Sequence, residues 1–452
     1  MYSIHRWIMA SITAVAVLFI ALVSVAEPQS SGNEDWGYVE VRPGANMFWW
    51  LYKTTADRST KAVTDRPLVI WLQGGPGAGS TGYGNFQEIG PVDEFFRTRN
   101  STWVNYVNVL FLDNPVGTGY SYVTSSDLYT TNNAEIAADL VSFMKAFLQK
   151  NPEWQDVPLY VFSESYGGKM AAEFGLSLYK AKKAGELQVN IKGVTLGDSW
   201  ISPIDSVMTW APFLRNCGLV DQNGYEAINR EAEATKNAVE QQDWQGATTS
   251  WSSTEFAVMQ EADNVNFYNI LYKIPSAVLR KNKMAPKLKT LEDYKRFLYN
   301  NHVRQNGDDQ LDNIMNGQIK DKLGVIPSDV YWGGQSQDVF SALYDDFMKP
   351  VTTVVEQLLD NTDLKVSVIT GQLDLIVDTP GTMNWINNLQ WSGIGRWQSA
   401  SRNPLVAGGY IEGFTKKYDQ FAVYWVLRAG HMVPTDNPIG GIEVLRQITN
   451  FA

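Results

Sequence analysis

Short apolar segments alternate along the chain with longer segments in which apolar residues recur every three or four positions. The short segments predict buried strands, and the longer periodic segments predict amphipathic helices. The predicted strands are Pro67–Leu72, Val107–Leu112, Pro158–Phe162, Gly193–Leu196, Lys365–Thr370 and Gln420–Leu427. The predicted helices are Asn133–Lys150, Gly168–Lys180 and Gly440–Thr449. This alternation indicates an α/β fold, in which helices cover both faces of a mostly parallel sheet.

One long region departs from this alternation. From about Pro203 to Gln335 the chain is polar, rich in helical patterns and nearly free of strand signals. We therefore expect one α/β domain made of residues 27–203 and 336–452, with residues 204–335 inserted as a helical cap.

The first 26 residues have the pattern of a secretory signal peptide. His5 and Arg6 precede an apolar segment from Ile8 to Val23, and the small residues Ser24 and Ala26 suit a cleavage site. Because that segment approaches membrane-spanning length, an uncleaved anchor is the alternative. No later segment is as long and apolar, so after cleavage we expect no membrane association and a secreted or lysosomal protein.

Composition excludes several classes of site. The net charge of −11 argues against a nucleic-acid partner, because phosphate binding requires clustered positive charge. The single cysteine, Cys217, has no intramolecular disulfide partner. One Cys and three His are too few for an ordinary zinc site, so we expect no metal and no cofactor, and we interpret Asp345-Asp346 as a solvated pair. The sequon at Asn100 lies in a polar stretch and is a candidate glycosylation site.

A candidate nucleophile lies between a predicted strand and a predicted helix. Ser165 follows the strand Pro158–Phe162 in the sequence Ser-Glu-Ser-Tyr-Gly-Gly. A sharp strand–serine–helix turn of this kind is typical of a nucleophile elbow, which needs small neighbouring residues. Gly167 and Gly168 meet that need, whereas Ser163 stands where the G-x-S-x-G pattern has its first glycine. A serine that only caps the helix is the alternative interpretation.

A serine nucleophile needs a general base. His5 lies in the leader, and His302 lies in a polar part of the predicted cap. His431 follows a predicted strand, at the sheet edge where open α/β sheets place their active sites. His431 is therefore the candidate base for Ser165.

The base needs a third group to orient it. Asp374 lies just past the predicted strand Lys365–Thr370, and Asp378 lies one helical turn further along as the alternative. The chain order Ser165, Asp374, His431 is that of the α/β-hydrolases. We therefore predict an α/β-hydrolase fold with this catalytic triad.

Two backbone N–H groups are candidates for an oxyanion hole. Tyr166 directly follows the nucleophile, and Gly75 follows the first predicted strand. Residues Gly77–Gly82 also match a dinucleotide-binding fingerprint. Because Pro76 disturbs that turn and no strand ending in an acidic residue follows at the right distance, we do not expect a nucleotide there.

Taken together, these segments resemble the serine carboxypeptidase family. The resemblance lies in Trp71–Gly77, Asp113–Ser121, Glu164–Gly168 and Ala429–Pro434, and details such as Gln73, Ser163 and Gly371–Asp374 are similar to its retinoid-inducible branch and related insect proteins. It implies exopeptidase activity, without a cofactor, on peptides that have a free C-terminal carboxylate.

The resemblance also implies that Gln73, Glu88 and Glu164 bind that carboxylate. An acid beside a carboxylate repels it unless one of the two is protonated, so we expect an acidic pH optimum. Three residues depart from the wider family: Gln73 replaces Asn, Ala78 replaces Cys and Ser163 replaces Gly. These departures affect substrate preference and catalytic efficiency.

Three other interpretations stay open at this stage. In the first interpretation, Glu88 and Glu164 have a purely structural role and do not bind the substrate. The second is an acyltransferase or esterase with the same triad, and the third is a non-catalytic binding protein that retains the fold.

Overall fold

The computed structural model describes residues 29–30, 32–56, 62–273, 309–333 and 336–451. The predicted signal peptide and His302 lie outside these residues. No helix within the described ranges is long and apolar enough to cross a membrane.

One mixed sheet organises the described chain. Its strands lie in the order β1-β2-β3-β5-β4-β7-β8-β9-β12-β11-β10, and β6 pairs with β3. Their bounds are β1 Gln29–Ser30, β2 Glu34–Arg42, β3 Ala45–Tyr52, β4 Leu68–Leu72, β5 Asn108–Leu112, β6 Tyr122–Val123, β7 Leu159–Glu164, β8 Ile191–Gly197, β9 Lys365–Gly371, β10 Arg402–Ala407, β11 Tyr410–Tyr418 and β12 Phe421–Val426.

The centre of the sheet is parallel and its two ends are antiparallel. Strands β5, β4, β7, β8, β9 and β12 run parallel, and they correspond to the six predicted strands. Strands β2 and β3 at one end, and β10 and β11 at the other, add antiparallel pairs. The predicted α/β class with a mostly parallel centre is confirmed.

Helices cover both faces of the sheet. Successive residues of β4 point to opposite faces, so that Ile70 belongs to one apolar cluster and Trp71 to the other. The helices are α1 Asn133–Lys150, α2 Gly167–Lys183, α3 Pro203–Asn216, α4 Gln222–Glu240, α5 Trp244–Glu261, α6 Asp309–Ile314, α7 Lys320–Leu323, α8 Gln337–Ala342, α9 Thr352–Asn361, α10 Thr379–Asn388, α11 Ile394–Ser399, α12 Val433–Asp436 and α13 Pro438–Thr449. Helix α1 has the predicted bounds, and α2 and α13 extend slightly beyond theirs.

The described part of the predicted cap is helical. Helices α3, α4 and α5 fill residues 203–261, and α6 and α7 lie at 309–323, with no strand in these ranges. Trp210 of α3 and Trp251 of α5 join the same apolar cluster as α1 and α2. The division into an α/β domain and a cap stays a prediction.

Asp113 joins two loops at the end of β5. Its carboxylate accepts hydrogen bonds from the N–H and hydroxyl of Thr81, at 3.0 and 2.7 Å, and from the N–H of Tyr120 at 2.9 Å. Glycines at 79 and 119 leave room for it, since a Cβ on Gly119 would lie 2.3 Å from Asp113 Oδ2. Burial raises the pKa of Asp113 to about 6.

This raised pKa predicts a pH-dependent contribution to stability. Because Asp113 binds its proton more tightly when folded, its contribution is fully present below the unfolded pKa of about 4 and is lost as pH rises through about 6. The unfolding free energy of the wild type should therefore gain about 2–3 kcal/mol from this group between about pH 7 and pH 4. Denaturant titrations should show that Asp113→Asn lacks this component; parallel pH curves for the two proteins would contradict the prediction.

Candidate active site

Ser165 lies on a sharp turn between β7 and α2. Its backbone has a positive φ of 60°, a left-handed conformation that is costly for a side chain larger than glycine. Its N–H donates to the carbonyls of Gly197 and Asp198 at the end of β8, at 3.0 and 3.1 Å. These contacts hold the serine in the strained turn of a nucleophile elbow.

Glycines allow neighbouring segments to approach this turn. A Cβ on Gly74 would lie 2.5 Å from Ser165 Cβ, and a Cβ on Gly167 would lie 2.4 Å from the carbonyl oxygen of Leu72. Both distances are too short for real atoms, so only glycine fits at these two positions. The loop after β4 is therefore packed directly against the elbow.

Ser163 fits where the usual pattern has glycine. Its side chain is buried, and its Oγ donates to the carbonyl of Thr195 at 2.8 Å. The neighbouring strand β8 lies close to the backbone here, because a Cβ on Gly197 would lie only 2.7 Å from the carbonyl oxygen of Ser163. The hydroxyl is satisfied inside the sheet, and Ser163 therefore fits here.

His431 and Asp374 form a buried pair. Nδ1 of His431 lies 2.8 Å from Oδ2 of Asp374, and the two residues are 1% and 0% exposed. Since a carboxylate only accepts, Nδ1 carries a proton, and Nε2 is the ring nitrogen left to act on a nucleophile. Nε2 is buried and has no hydrogen-bond partner within the described chain. The backbone N–H of His431 donates to the carbonyl of Tyr268 at 2.7 Å, which fixes the loop.

Asp378, the alternative orienting residue, has other partners. Its Oδ1 accepts from the hydroxyl of Thr209 at 2.7 Å and from the N–H of Gly381 at 3.2 Å, which caps helix α10. Burial raises its pKa well above the usual range. The carboxyl that contacts the imidazole is that of Asp374.

Gln73, Glu88 and Glu164 form a buried polar cluster beside the elbow. Nε2 of Gln73 donates to Glu88 Oε1 at 3.0 Å and to Glu164 Oε1 at 2.8 Å. The indole N–H of Trp71 donates to Gln73 Oε1 at 2.7 Å. Because an indole nitrogen can only donate, this contact fixes which end of the amide is oxygen and directs its NH₂ toward both carboxyl groups.

The two carboxyl groups compete for one proton. Burial raises the pKa of Glu164 well above its usual value, and the charge and shared proton of Glu88 raise it further. Burial also raises the pKa of Glu88, against the opposing effects of its contacts with Glu164 and Gln73. Two buried carboxylates this close repel each other, so the pair holds a proton at acidic pH and titrates as a unit. Arg99 holds the segment that carries Glu88, donating to the carbonyl of Phe86 at 2.5 Å.

The two candidate oxyanion donors lie on adjacent segments. Gly75 has a φ of 109°, which only glycine adopts without strain. Its neighbour Gly74 contacts the elbow so closely that a Cβ there would lie 2.9 Å from the backbone nitrogen of Tyr166. The backbone segments that carry residues 75 and 166 are thus in direct contact, and their role as oxyanion donors stays a prediction.

A buried ion pair anchors the side chain of Tyr166. Its hydroxyl donates to Asp346 Oδ2 at 2.7 Å, and Lys169 Nζ donates to the same oxygen at 2.8 Å. Lys169 is fully buried. Although burial alone would raise it, the pKa of Asp346 is lowered by Lys169 and Tyr166. The interpretation of Asp345-Asp346 as a solvated pair is therefore wrong for Asp346, which is 5% exposed, and only Asp345 faces solvent.

Sequence reasoning missed Asp198, Trp71 and Tyr268 at this site. Asp198 directly follows β8. The reasoning that selected Asp374, a position just past a predicted strand, would therefore also have selected Asp198. Trp71 lies within a predicted strand and contacts Gln73 two residues later, and Tyr268 contacts His431 from a distant segment, so neither residue has a strand-end signal. Within the described ranges, no group of three or more His, Cys, Asp or Glu residues is arranged to hold a metal ion.

The sequon lies on a surface turn. Asn100 is exposed, and the hydroxyl of Thr102 donates to the carbonyl of Ile89 at 2.8 Å. The side chain of Asn100 is therefore accessible in the folded chain.

Comparisons with known proteins identify the family. The model of the family described as serine carboxypeptidase matches residues 25–450. The chain is similar to retinoid-inducible serine carboxypeptidase from Rattus norvegicus, with 44% identity over 93% of this chain and 92% of the relative. It is also similar to serine carboxypeptidase-like 51 from Arabidopsis thaliana, with 41% identity over 94% of each chain. The predicted resemblance is confirmed.

The fold is also shared with a solved structure. The chain matches Kex1(Δ)p, a prohormone-processing carboxypeptidase from Saccharomyces cerevisiae, with a TM-score of 0.76 and 20% identity over 92% of this chain and 91% of that one. This likeness supports the fold.

The neighbours Asp346 and Asp345 offer a matched test of the ion pair. Asp346→Ala leaves the buried ammonium of Lys169 without its counter-charge and should cost about 3–5 kcal/mol of unfolding free energy. Asp345→Ala, at an exposed position, should change it by less than about 0.5 kcal/mol. Denaturant unfolding measures both values, and equal effects of the two substitutions would contradict the buried pair.

Proposed function

The chain belongs to the serine carboxypeptidase family, and we propose that it removes residues one at a time from the C-terminal ends of peptides. The enzyme is a serine-type carboxypeptidase, as its family membership indicates. The observation that carries the detailed proposal is the buried contact of 2.8 Å between His431 and Asp374, beside an elbow that presents Ser165.

Ser165 acts as the nucleophile in this proposal. Its Oγ attacks the carbonyl carbon of the last peptide bond while its proton moves to Nε2 of His431. Asp374 stabilises the imidazolium that forms. The N–H groups of Gly75 and Tyr166 donate to the oxyanion of the tetrahedral intermediate.

An acyl-enzyme follows when this intermediate collapses. His431 donates its proton to the leaving amine, and the C-terminal residue departs. A water molecule then gives its proton to His431 and attacks the ester of Ser165, which releases the shortened peptide and restores the hydroxyl.

Glu88, Glu164 and Gln73 recognise the substrate's C-terminal carboxylate in this proposal. Both hydrogens of the Gln73 amide already point to the two carboxyl groups, so the proton held by the pair is the remaining donor for the substrate. When pH rises and the pair loses that proton, it repels the substrate's carboxylate. An acidic optimum follows.

The acyltransferase or esterase alternative would use the same triad without this cluster. An ester or acyl donor with no terminal carboxylate would leave three buried polar side chains without a binding role. The cluster therefore favours peptides with a free C-terminus.

Entry into the secretory pathway is part of the proposal. It rests on the N-terminal leader pattern and on the exposed sequon at Asn100, which we propose is glycosylated. An acidic optimum is compatible with a lysosomal or a secreted enzyme.

A fluorophosphonate probe tests the nucleophile. The wild-type protein should be labelled, and Ser165→Ala should abolish labelling because Ser165 is the serine that His431 activates in this proposal. His431→Ala should slow labelling by at least about a thousandfold. Ser163→Ala, a buried serine two residues away, is the matched control and should still be labelled. An unlabelled wild type, or labelling that persists in Ser165→Ala, would contradict the triad.

The carboxyl pair predicts how substrate binding depends on pH. For a blocked dipeptide with a free C-terminus, KM should rise about tenfold or more between about pH 5 and pH 7.5, as the shared proton is lost. In Glu88→Gln, one partner no longer titrates and the amide still donates, so the rise in KM should be smaller. Steady-state kinetics of both proteins provide the comparison. A kcat/KM that climbs steadily from about pH 5 to pH 8 in the wild type would contradict this account.

A further inference from the structure

Asp198 connects the elbow to the strand that precedes Asp374. It directly follows β8, has a positive φ of 38° and is 1% exposed. Its carbonyl accepts from the N–H of Ser165 at 3.1 Å, and its own N–H donates to Ile369 of β9 at 2.8 Å. Its Oδ1 accepts from the N–H of Gly371 at 2.7 Å, at the end of β9. Every polar group of its backbone thus serves the site.

Asp198 and Asp374 both contact Gly371, because the N–H of Gly371 donates to Asp198 Oδ1 and the N–H of Asp374 donates to the carbonyl of Gly371 at 3.3 Å. Their carboxyl groups are close enough for a hydrogen bond between them. Two buried carboxyl groups in contact need a proton between them, because two negative charges there would repel strongly. Burial, and then the charge of Asp374, raise the pKa of Asp198 well above its usual value. Asp436 and Glu164 are the other acids that act on it, and His431 lines the same small cavity of about 20 Å³.

Asp374 can accept a further hydrogen bond from the carboxyl of Asp198, because one of its present contacts is weak. Its Oδ2 is bound to His431 at 2.8 Å, whereas the N–H of Val377 reaches its Oδ1 only at 3.3 Å. A long N–H···O contact of that kind holds a carboxylate loosely. A second, short hydrogen bond would restrict its rotation and keep it aligned with the imidazole.

We propose that Asp198 remains protonated in the working enzyme and donates a hydrogen bond to Asp374, which holds the carboxylate against His431. Asp198 is a positioning residue in this proposal, which rests on the triad proposed above. Its hydrogen-bonded path runs from the elbow through Asp198 and Asp374 to the general base. Loss of its proton at high pH replaces that hydrogen bond with a repulsion and displaces Asp374.

Two substitutions separate the hydrogen bond from the charge. Asp198→Asn keeps a donor for Asp374 and an acceptor for Gly371, does not titrate and tolerates a positive φ. Asp198→Gly removes the donor and accepts the same backbone conformation without strain. Thermal unfolding of each purified variant checks that it is folded.

The readout is the second-order rate of fluorophosphonate labelling across about pH 4.5 to 9, because the probe has no carboxylate and does not engage Glu88 or Glu164. At about pH 5, we expect Asp198→Asn to label within about threefold of the wild type and Asp198→Gly to be slower by about tenfold or more. On the alkaline side, wild-type labelling should fall, and this fall should move up by about one pH unit or more in Asp198→Asn.

Asp378→Asn is the matched control. Asp378 is also buried and senses the charge of Asp374, but its hydrogen bonds go to Thr209 and Gly381, so its substitution should leave the alkaline fall in place. The proposal is overturned if Asp198→Asn keeps the wild-type alkaline fall, if Asp198→Gly labels as fast as the wild type, or if folded Asp198→Asn is as slow as Asp198→Gly at about pH 5. Ser165→Ala and Asp374→Ala are measured in parallel, because fast labelling of either one would reject the triad itself, whatever Asp198 does.

Discussion

The buried contact between Asp374 and His431 is the interaction on which the rest of the site depends. A carboxylate that is 0% exposed is costly unless its oxygens are hydrogen-bonded, so its partners must be held rigidly. Two segments do this, one distant in the sequence and one that directly follows His431. The carbonyl of Tyr268, in the segment that follows α5, binds the N–H of His431, and Asp436 binds the N–H of Gly430 at 2.7 Å. The segment that follows α5 therefore helps to hold the loop that carries His431.

Several buried carboxyl groups surround this contact, so the properties of the site depend on which of them are protonated. Glu88, Glu164, Asp198 and Asp374 are all buried within one connected region. Desolvation and mutual repulsion favour the protonated form of most of them, and each proton then becomes a hydrogen-bond donor. In our proposals, the same physical constraint provides a donor for the substrate's carboxylate at the Glu88–Glu164 pair and a donor for Asp374 at Asp198. It is also the basis of the proposed acidic optimum.

Much of the fold and of the candidate site was predictable because parallel strands bring their C-terminal ends to one edge. Ser165, Asp374 and His431 each follow a predicted strand, and that position, together with the elbow motif at Ser165, the small number of histidines and the chain order, selected them. Glu88 depended on the family resemblance, since the π-helical segment Tyr83–Ile89 that carries it has no simple periodic signature. Asp346 was misinterpreted because its partner Lys169 is buried on α2, and a local pattern does not reveal a distant counter-ion. The outer strands β2, β3, β10 and β11 were missed because they follow one another without intervening helices.

The most direct test of the central claim is mass spectrometry of a peptide mixture incubated with the enzyme at about pH 5, with each peptide present both as a free acid and as a C-terminal amide. The account predicts a ladder of products shortened stepwise from the C-terminus for the free acids, with the amides left nearly intact and no ladder from Ser165→Ala. Cleavage within peptides, equal shortening of acids and amides, or no shortening by the folded wild-type enzyme would contradict it.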